Sequence, residues 1–123
     1  MSIYTDAIFE FNQAFGVEAT EEREQLYSDL IDEEYEEWLE ERYAKDGSKD
    51  EEAELKEICD MLYVLHGYCF QKGWNIDRAF SKVHASNMSK LTDGVAQYNQ
   101  QGKILKGPKY QVPELLDCLA DDA

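Results

Sequence analysis

The sequence predicts an all-α fold, and three observations carry that prediction. Apolar residues recur at three- and four-residue steps along most of the chain, and capping residues and glycines bracket those stretches. With 123 residues, 43% of them hydrophobic and 12% aromatic, the chain is long and apolar enough for one core without disulfide or metal staples. The expected architecture is a four-helix bundle-like domain spanning residues 1–123, with a short C-terminal extension and an oligomeric assembly.

Ile3, Tyr4, Ala7, Ile8, Phe11 and Phe15 mark helix one, and Gly16 stops it. Thr20 is the N-cap of helix two, with Glu21 and Glu22 in its first turn where negative charge suits the helix dipole, and the pattern continues to about residue 44. Ser48 with Glu51 reads as a capping box opening helix three, which runs to about Lys72 and ends at Gly73. Asn75 caps helix four across IDRAFSKVHASNMSKL, and Thr92-Asp93-Gly94 marks its end. A looser tail with Gly102, Gly107, Pro108 and Pro113 precedes the apolar run PELLDCLA.

The net charge of −15 argues against a nucleic-acid partner. The start MSIYTDAIFEF lacks the basic and apolar regions of a signal peptide, and no uncharged apolar run reaches membrane length, so no membrane association and a cytoplasmic location are expected. Cys59, Cys69 and Cys118 are odd in number and without CxxC spacing, which reads as reduced core thiols.

The stretch LIDEEYEEWLEE, residues 30–41, raises a question of charge. At about 100° per residue, Leu26, Tyr27, Leu30, Ile31, Tyr35, Trp38 and Leu39 fill one arc of helix two. Glu34 falls inside that arc and Glu37 on its edge, whereas Glu33, Glu36 and Glu40 face the other side as a solvated surface. In helix three, ICDMLYVLHGYCF is apolar nearly all round, so burial is expected, with Asp60 its only carboxylate and Glu57 on the same face. No basic residue follows Glu34, Glu37, Glu57 or Asp60 by three or four positions. The economical counter-charge is a hard divalent cation, Mg²⁺ or Mn²⁺, which favours carboxylate oxygen. The competing reading is a salt-bridge network with lysines from elsewhere.

Residues 78–112 carry Arg78, Lys82, Lys90, Lys103, Lys106 and Lys109 against the single acid Asp93, a net of +5, so the other 88 residues carry −20. A polyphosphate bridged to a metal on one side and held by lysines on the other would need that distribution, although surface lysines that rebalance charge would also give it.

EExxE at Glu33, Glu34 and Glu37, followed by ExxD at Glu57 and Asp60, resembles the metal-binding signature of the MazG-like all-α nucleoside triphosphate pyrophosphohydrolases, a superfamily that includes the phosphoribosyl-ATP pyrophosphohydrolases. VHASNMSKL at residues 83–91 and the tail GKILKGPKYQVP at residues 102–113 extend the resemblance to small bacterial and phage members, over residues 5 to 119. The resemblance implies Mg²⁺-dependent cleavage between the α- and β-phosphates of a nucleotide. It also implies Glu34, Glu37, Glu57 and Asp60 as catalytic metal ligands, with Asn87, Lys90 and Lys106 contacting the nucleotide substrate. The basic residue expected of a true phosphoribosyl-ATP enzyme is missing where VHASNMSK stands.

His84 reads as a packing residue rather than a general base, since water activated by a metal and positioned by an acid needs no histidine. His66, Trp38 and Tyr35 read as core, and Tyr110 is a candidate to stack on a base. The leading expectation is a (deoxy)nucleoside triphosphate pyrophosphohydrolase, assembled as a homodimer or homotetramer because helix three has too much apolar surface for one small domain to cover. The alternatives are phosphoribosyl-ATP hydrolysis and an acidic module that mimics nucleic acid or neutralises a basic partner. The mimic needs its acids exposed, whereas Glu34 and Asp60 fall on apolar faces.

Overall fold

The computed structural model describes residues 2–43 and 50–119. They form four α-helices and no strands, the all-α class that the periodicity predicts. Helices α1 (Ile3–Phe15), α2 (Glu21–Arg42) and α3 (Glu51–Lys72) make a first compact unit that ends at Trp74; α4 (Ile76–Met88) and the C-terminal segment make a second that begins at Asn75.

Local chemistry sets the helix ends of the first unit. Ser2 caps α1 by accepting from the Thr5 amide, and Thr20 caps α2 by accepting from the Arg23 amide at 3.1 Å. Asp50, rather than Ser48, caps α3 through the Ala53 amide at 3.1 Å. Ser48 lies outside the described residues; a side chain immediately before the first turn reaches the free amides directly.

Tertiary contacts fix how α2 and α3 run. The Thr20 amide donates to Gln71 Oε1 at 3.0 Å, and Gln71 Nε2 donates to the Glu18 carbonyl at 3.1 Å. Lys72 pairs with Glu24 at 2.9 Å, while at the other end Trp38 Nε1 donates to Glu54 Oε2 at 3.1 Å. The start of α2 therefore meets the end of α3, and the two helices are antiparallel. Helix α1 packs on α3 through edge-to-face pairs, Phe9 with Phe70 and Phe11 with Tyr63.

Burial departs from the sequence expectation in α3. Val64 is buried, but Leu55 is 61% and Leu65 42% exposed, because the first unit has only α1 and α2 to set against a helix that is apolar nearly all round. Tyr35 is likewise exposed and Trp38 half-buried. Of the thiols, Cys118 is buried, Cys69 half-buried and Cys59 exposed, so the core assignment fails for Cys59; all three are free.

In the second unit Asn75 caps α4 through the Arg78 amide at 3.1 Å. Helix α4 stops at Met88 rather than Leu91 because the tail competes for its last polar groups. Ser89 Oγ donates to the Ser86 carbonyl and accepts from the Gln111 amide, and the Lys90 carbonyl accepts from the Gly107 amide at 2.9 Å. Only glycine fits at 107, where a Cβ would lie 2.6 Å from Thr92 Oγ1 and 2.8 Å from the Lys90 carbonyl oxygen. Thr92 and Val95 exchange amide bonds across Asp93-Gly94, both with positive φ, which is a two-residue hairpin turn. Asp117 accepts from Arg78 at 2.7 Å and Lys82 at 2.8 Å, beside a short 3-10 turn over Leu116–Cys118. The segment expected to be loose is thus bonded along α4.

Candidate active site

Glu34 and Glu37 lie one turn apart on α2, and the antiparallel packing sets Glu57 of α3 against them. Each of the three offers a carboxylate oxygen within 4.8 Å of the others. Glu34 Oε2 and Glu57 Oε2 are buried with no hydrogen-bond partner. Partial burial, a hydrogen bond with Glu37 and the charges of Glu37, Asp60 and Glu57 push the Glu34 carboxyl from 4.5 up to about 7. A buried carboxylate without a partner costs several kcal/mol, on the order of what a cation must offset. Three acids offering only oxygen suit a hard divalent ion, and these residues could hold one.

Asp60 stands beside this trio, not within it. Lys56, one turn earlier on α3, pairs with Asp60 Oδ2 at 2.7 Å and approaches Glu57 Oε1 at 3.7 Å. The expectation that every counter-charge comes from beyond these helices is therefore corrected. Looking forward three or four positions from each acid passes over Lys56; its i−4 spacing to Asp60 is the signal that reveals it. Glu33, Glu36 and Glu40 are exposed, as a solvated face requires.

The model of the phosphoribosyl-ATP pyrophosphohydrolase family matches residues 8–87, which take in all four of these acids. The chain belongs to the phosphoribosyl-ATP pyrophosphohydrolase family. It is thereby a member of the MazG-like all-α superfamily that its motifs resemble, with a pyrophosphohydrolase-type function. No curated protein matches the chain.

The family match ends at Asn87, which is exposed in the last turn of α4, and Lys90 and Lys106 lie beyond it. Within the second unit the Gly107 amide bonded to the Lys90 carbonyl brings the backbones at Lys90 and Lys106 close together. Lys106 Nζ sits 4.8 Å above the Tyr110 ring, so that ring is already covered by a cation. Arg78 and Lys82 are committed to Asp117 and leave the basic segment with four lysines outside that pair. His84 is exposed rather than packed, and His66 is half-buried with Nδ1 2.8 Å from the Leu62 carbonyl. Sequence reasoning also missed the Trp38–Glu54 bond, which ties α2 to α3 beside the acids, from the residue after Glu37 to the turn before Glu57. Among the described residues no helix is long and apolar enough to cross a membrane.

Proposed function

We propose that this member of the phosphoribosyl-ATP pyrophosphohydrolase family is a Mg²⁺-dependent hydrolase that cleaves (deoxy)nucleoside triphosphates into monophosphate and pyrophosphate. The observation that carries the reading is the trio Glu34, Glu37 and Glu57, drawn from two helices, with two buried oxygens lacking a protein partner. Mg²⁺, when bound, supplies charge that offsets the carboxylates and the phosphate oxygens and makes water more acidic. Water adds across the α–β anhydride, and its proton passes to a carboxylate of the cluster. Asn87, Lys90 and Lys106 hold the phosphates, the two lysines through charge-assisted bonds. The acidic-mimic alternative loses support, because the oxygens it would display are turned inward at Glu34 and Glu57.

A second reading, phosphoribosyl-ATP hydrolysis, is favoured by the description of the matching family. Both substrates lose pyrophosphate from an α–β bond, so the same acids would serve either.

The chain acts as a homodimer or homotetramer in this reading. Its support is the apolar surface that α1 and α3 leave uncovered: Ile3 is 76%, Phe15 70% and Leu55 61% exposed. A groove of about 260 Å³ lined by Tyr4, Ile8, Leu62 and Tyr63 runs between the two helices. Burying such surface against a second copy is the ordinary remedy.

The test is a panel of ribo- and deoxynucleoside triphosphates plus phosphoribosyl-ATP, incubated with protein and Mg²⁺ and read by pyrophosphate release. Release from the triphosphates supports the first reading, and release from phosphoribosyl-ATP alone supports the second. No release from any of them defeats both.

A further inference from the structure

Lys56 has no part in the reaction outlined above, yet it is the cation nearest the acids in the described structure. Its ammonium lies 2.7 Å from Asp60 Oδ2 and 3.7 Å from Glu57 Oε1, while 67% of its side chain remains exposed. It therefore reaches in from the rim of the cluster and is free to swing into water. By contrast, Glu57 is 14% exposed and its second oxygen is one of the two without a partner.

We infer that Lys56 is a built-in counter-ion that competes with the divalent cation for Asp60 and Glu57, and so sets how tightly the metal binds. The inference rests on the metal reading proposed above. An ammonium carries one charge and meets carboxylates singly through flexible donors, whereas a divalent ion gathers several carboxylate oxygens into one coordination shell. Lys56 occupies two acids and leaves Glu34 and the inner oxygen of Glu57 unserved. The two cations need overlapping oxygens and repel each other at close range, so each weakens the other's hold. Lys56 is thus a positioning residue for Asp60, which it holds beside the trio until a stronger cation draws the carboxylate away.

The sign of the effect separates this role from two others. Loss of a lysine that contacts substrate phosphate raises the KM for nucleotide and leaves metal affinity alone. Loss of an ordinary exposed i,i+4 pair changes neither, because such pairs contribute little. Loss of a competing counter-ion strengthens metal binding with no nucleotide present.

The experiment is a calorimetric titration of Mg²⁺ alone into chelator-treated full-length protein, comparing the parent with Lys56→Met and Lys56→Arg. Circular dichroism checks that the variants are folded, which exposure of the side chain favours. The expected result is that Lys56→Met binds Mg²⁺ roughly three- to tenfold more tightly than the parent, as removing one nearby positive charge implies. Lys56→Arg, which keeps the charge, should stay near the parent value. Equal or weaker Mg²⁺ binding by the folded Met variant overturns the counter-ion role while leaving the metal reading intact. A raised nucleotide KM with unchanged Mg²⁺ affinity overturns it in favour of a substrate contact. If neither parent nor variant binds Mg²⁺, the metal reading itself fails and takes this inference with it.

Discussion

The ring of Tyr27 on α2 occupies the place that a side chain at position 67 of α3 would need. A Cβ on Gly67 would lie 2.3 Å from Tyr27 Cε1 and 2.8 Å from Cδ1, well inside van der Waals contact. This seat lets α2 and α3 approach along the same interface that gathers Glu34, Glu37 and Glu57. Gly67→Ala is expected to destabilise the protein by about 1–3 kcal/mol, since the overlap outweighs the helix-propensity gain of up to ~1 kcal/mol. Chemical denaturation measures it. Adding Tyr27→Ala should recover part of the loss, and a Gly67→Ala protein as stable as its parent would show that the ring does not depend on the glycine.

Glu34 makes stability depend on pH in an unusual direction. Its carboxyl titrates at about 7 in the folded chain against 4.5 ordinarily, so between those values the folded state holds a proton that the unfolded state has released. Stability in the absence of metal should therefore fall as pH rises from about 4.5 to 7, and level off above. One pKa unit corresponds to about 1.4 kcal/mol, and solvent screening of a half-exposed side chain reduces the full amount, so the expected fall is about 1–2 kcal/mol. Melting curves across that range check it, and Glu34→Gln should flatten them. Mg²⁺ binding near pH 6 should also release protons, detectable as calorimetric heats that vary with the buffer.

Turnover should be abolished by Glu34→Gln and by Asp60→Asn, with different effects on stability. Removing the Glu34 charge relieves repulsion among the acids, so the metal-free variant should match or exceed the parent in melting temperature. Asp60→Asn also loses the 2.7 Å pair with Lys56, so its gain should be smaller or absent. Pyrophosphate release and thermal melts report the two effects separately, and near-parental activity in both variants would exclude these acids from the reaction.

The basic residues of the second unit should divide into two kinds. Lys90→Ala and Lys106→Ala should weaken nucleotide binding or turnover by roughly ten- to a hundredfold, from loss of a charge-assisted bond of about 1.5–3 kcal/mol, with little change in stability. Arg78→Ala and Lys82→Ala should do the reverse, because their side chains hold Asp117 and with it the C-terminal segment. These two cations hold the Asp117 carboxyl below its ordinary value, chiefly through Lys82. Their contribution is therefore present above the ordinary carboxylate pKa and lost as pH falls through the lowered one. Nucleotide titrations and melts on all four variants distinguish the kinds.

Light scattering at micromolar concentration should return a dimer or tetramer mass. A charge placed in the exposed apolar surface, as in Ile3→Glu or Leu62→Glu, should shift that mass toward the monomer. A monomeric parent would remove the proposed assembly.

The sequence by itself determined what local chemistry controls. Apolar spacing located all four helices, and Thr20, Asn75, Gly16 and Gly73 marked ends that the structure keeps, because capping acts within a few residues of one another. It also singled out Glu34, since an acid inside an apolar arc is visible from helical period alone, and Lys56 is equally local to Asp60. Tertiary structure decided the rest. The Tyr27 ring chose Gly67 across 40 positions of chain, Lys82 and Arg78 were claimed by Asp117 from 35 and 39 positions away, and Gly107 shortened α4 by drawing on Lys90. Whether an oxygen of Glu34 or Glu57 is left without a partner depends on the gap between two helices, and that gap is set by which side chains meet across it, a sum of distant contacts that no local pattern encodes.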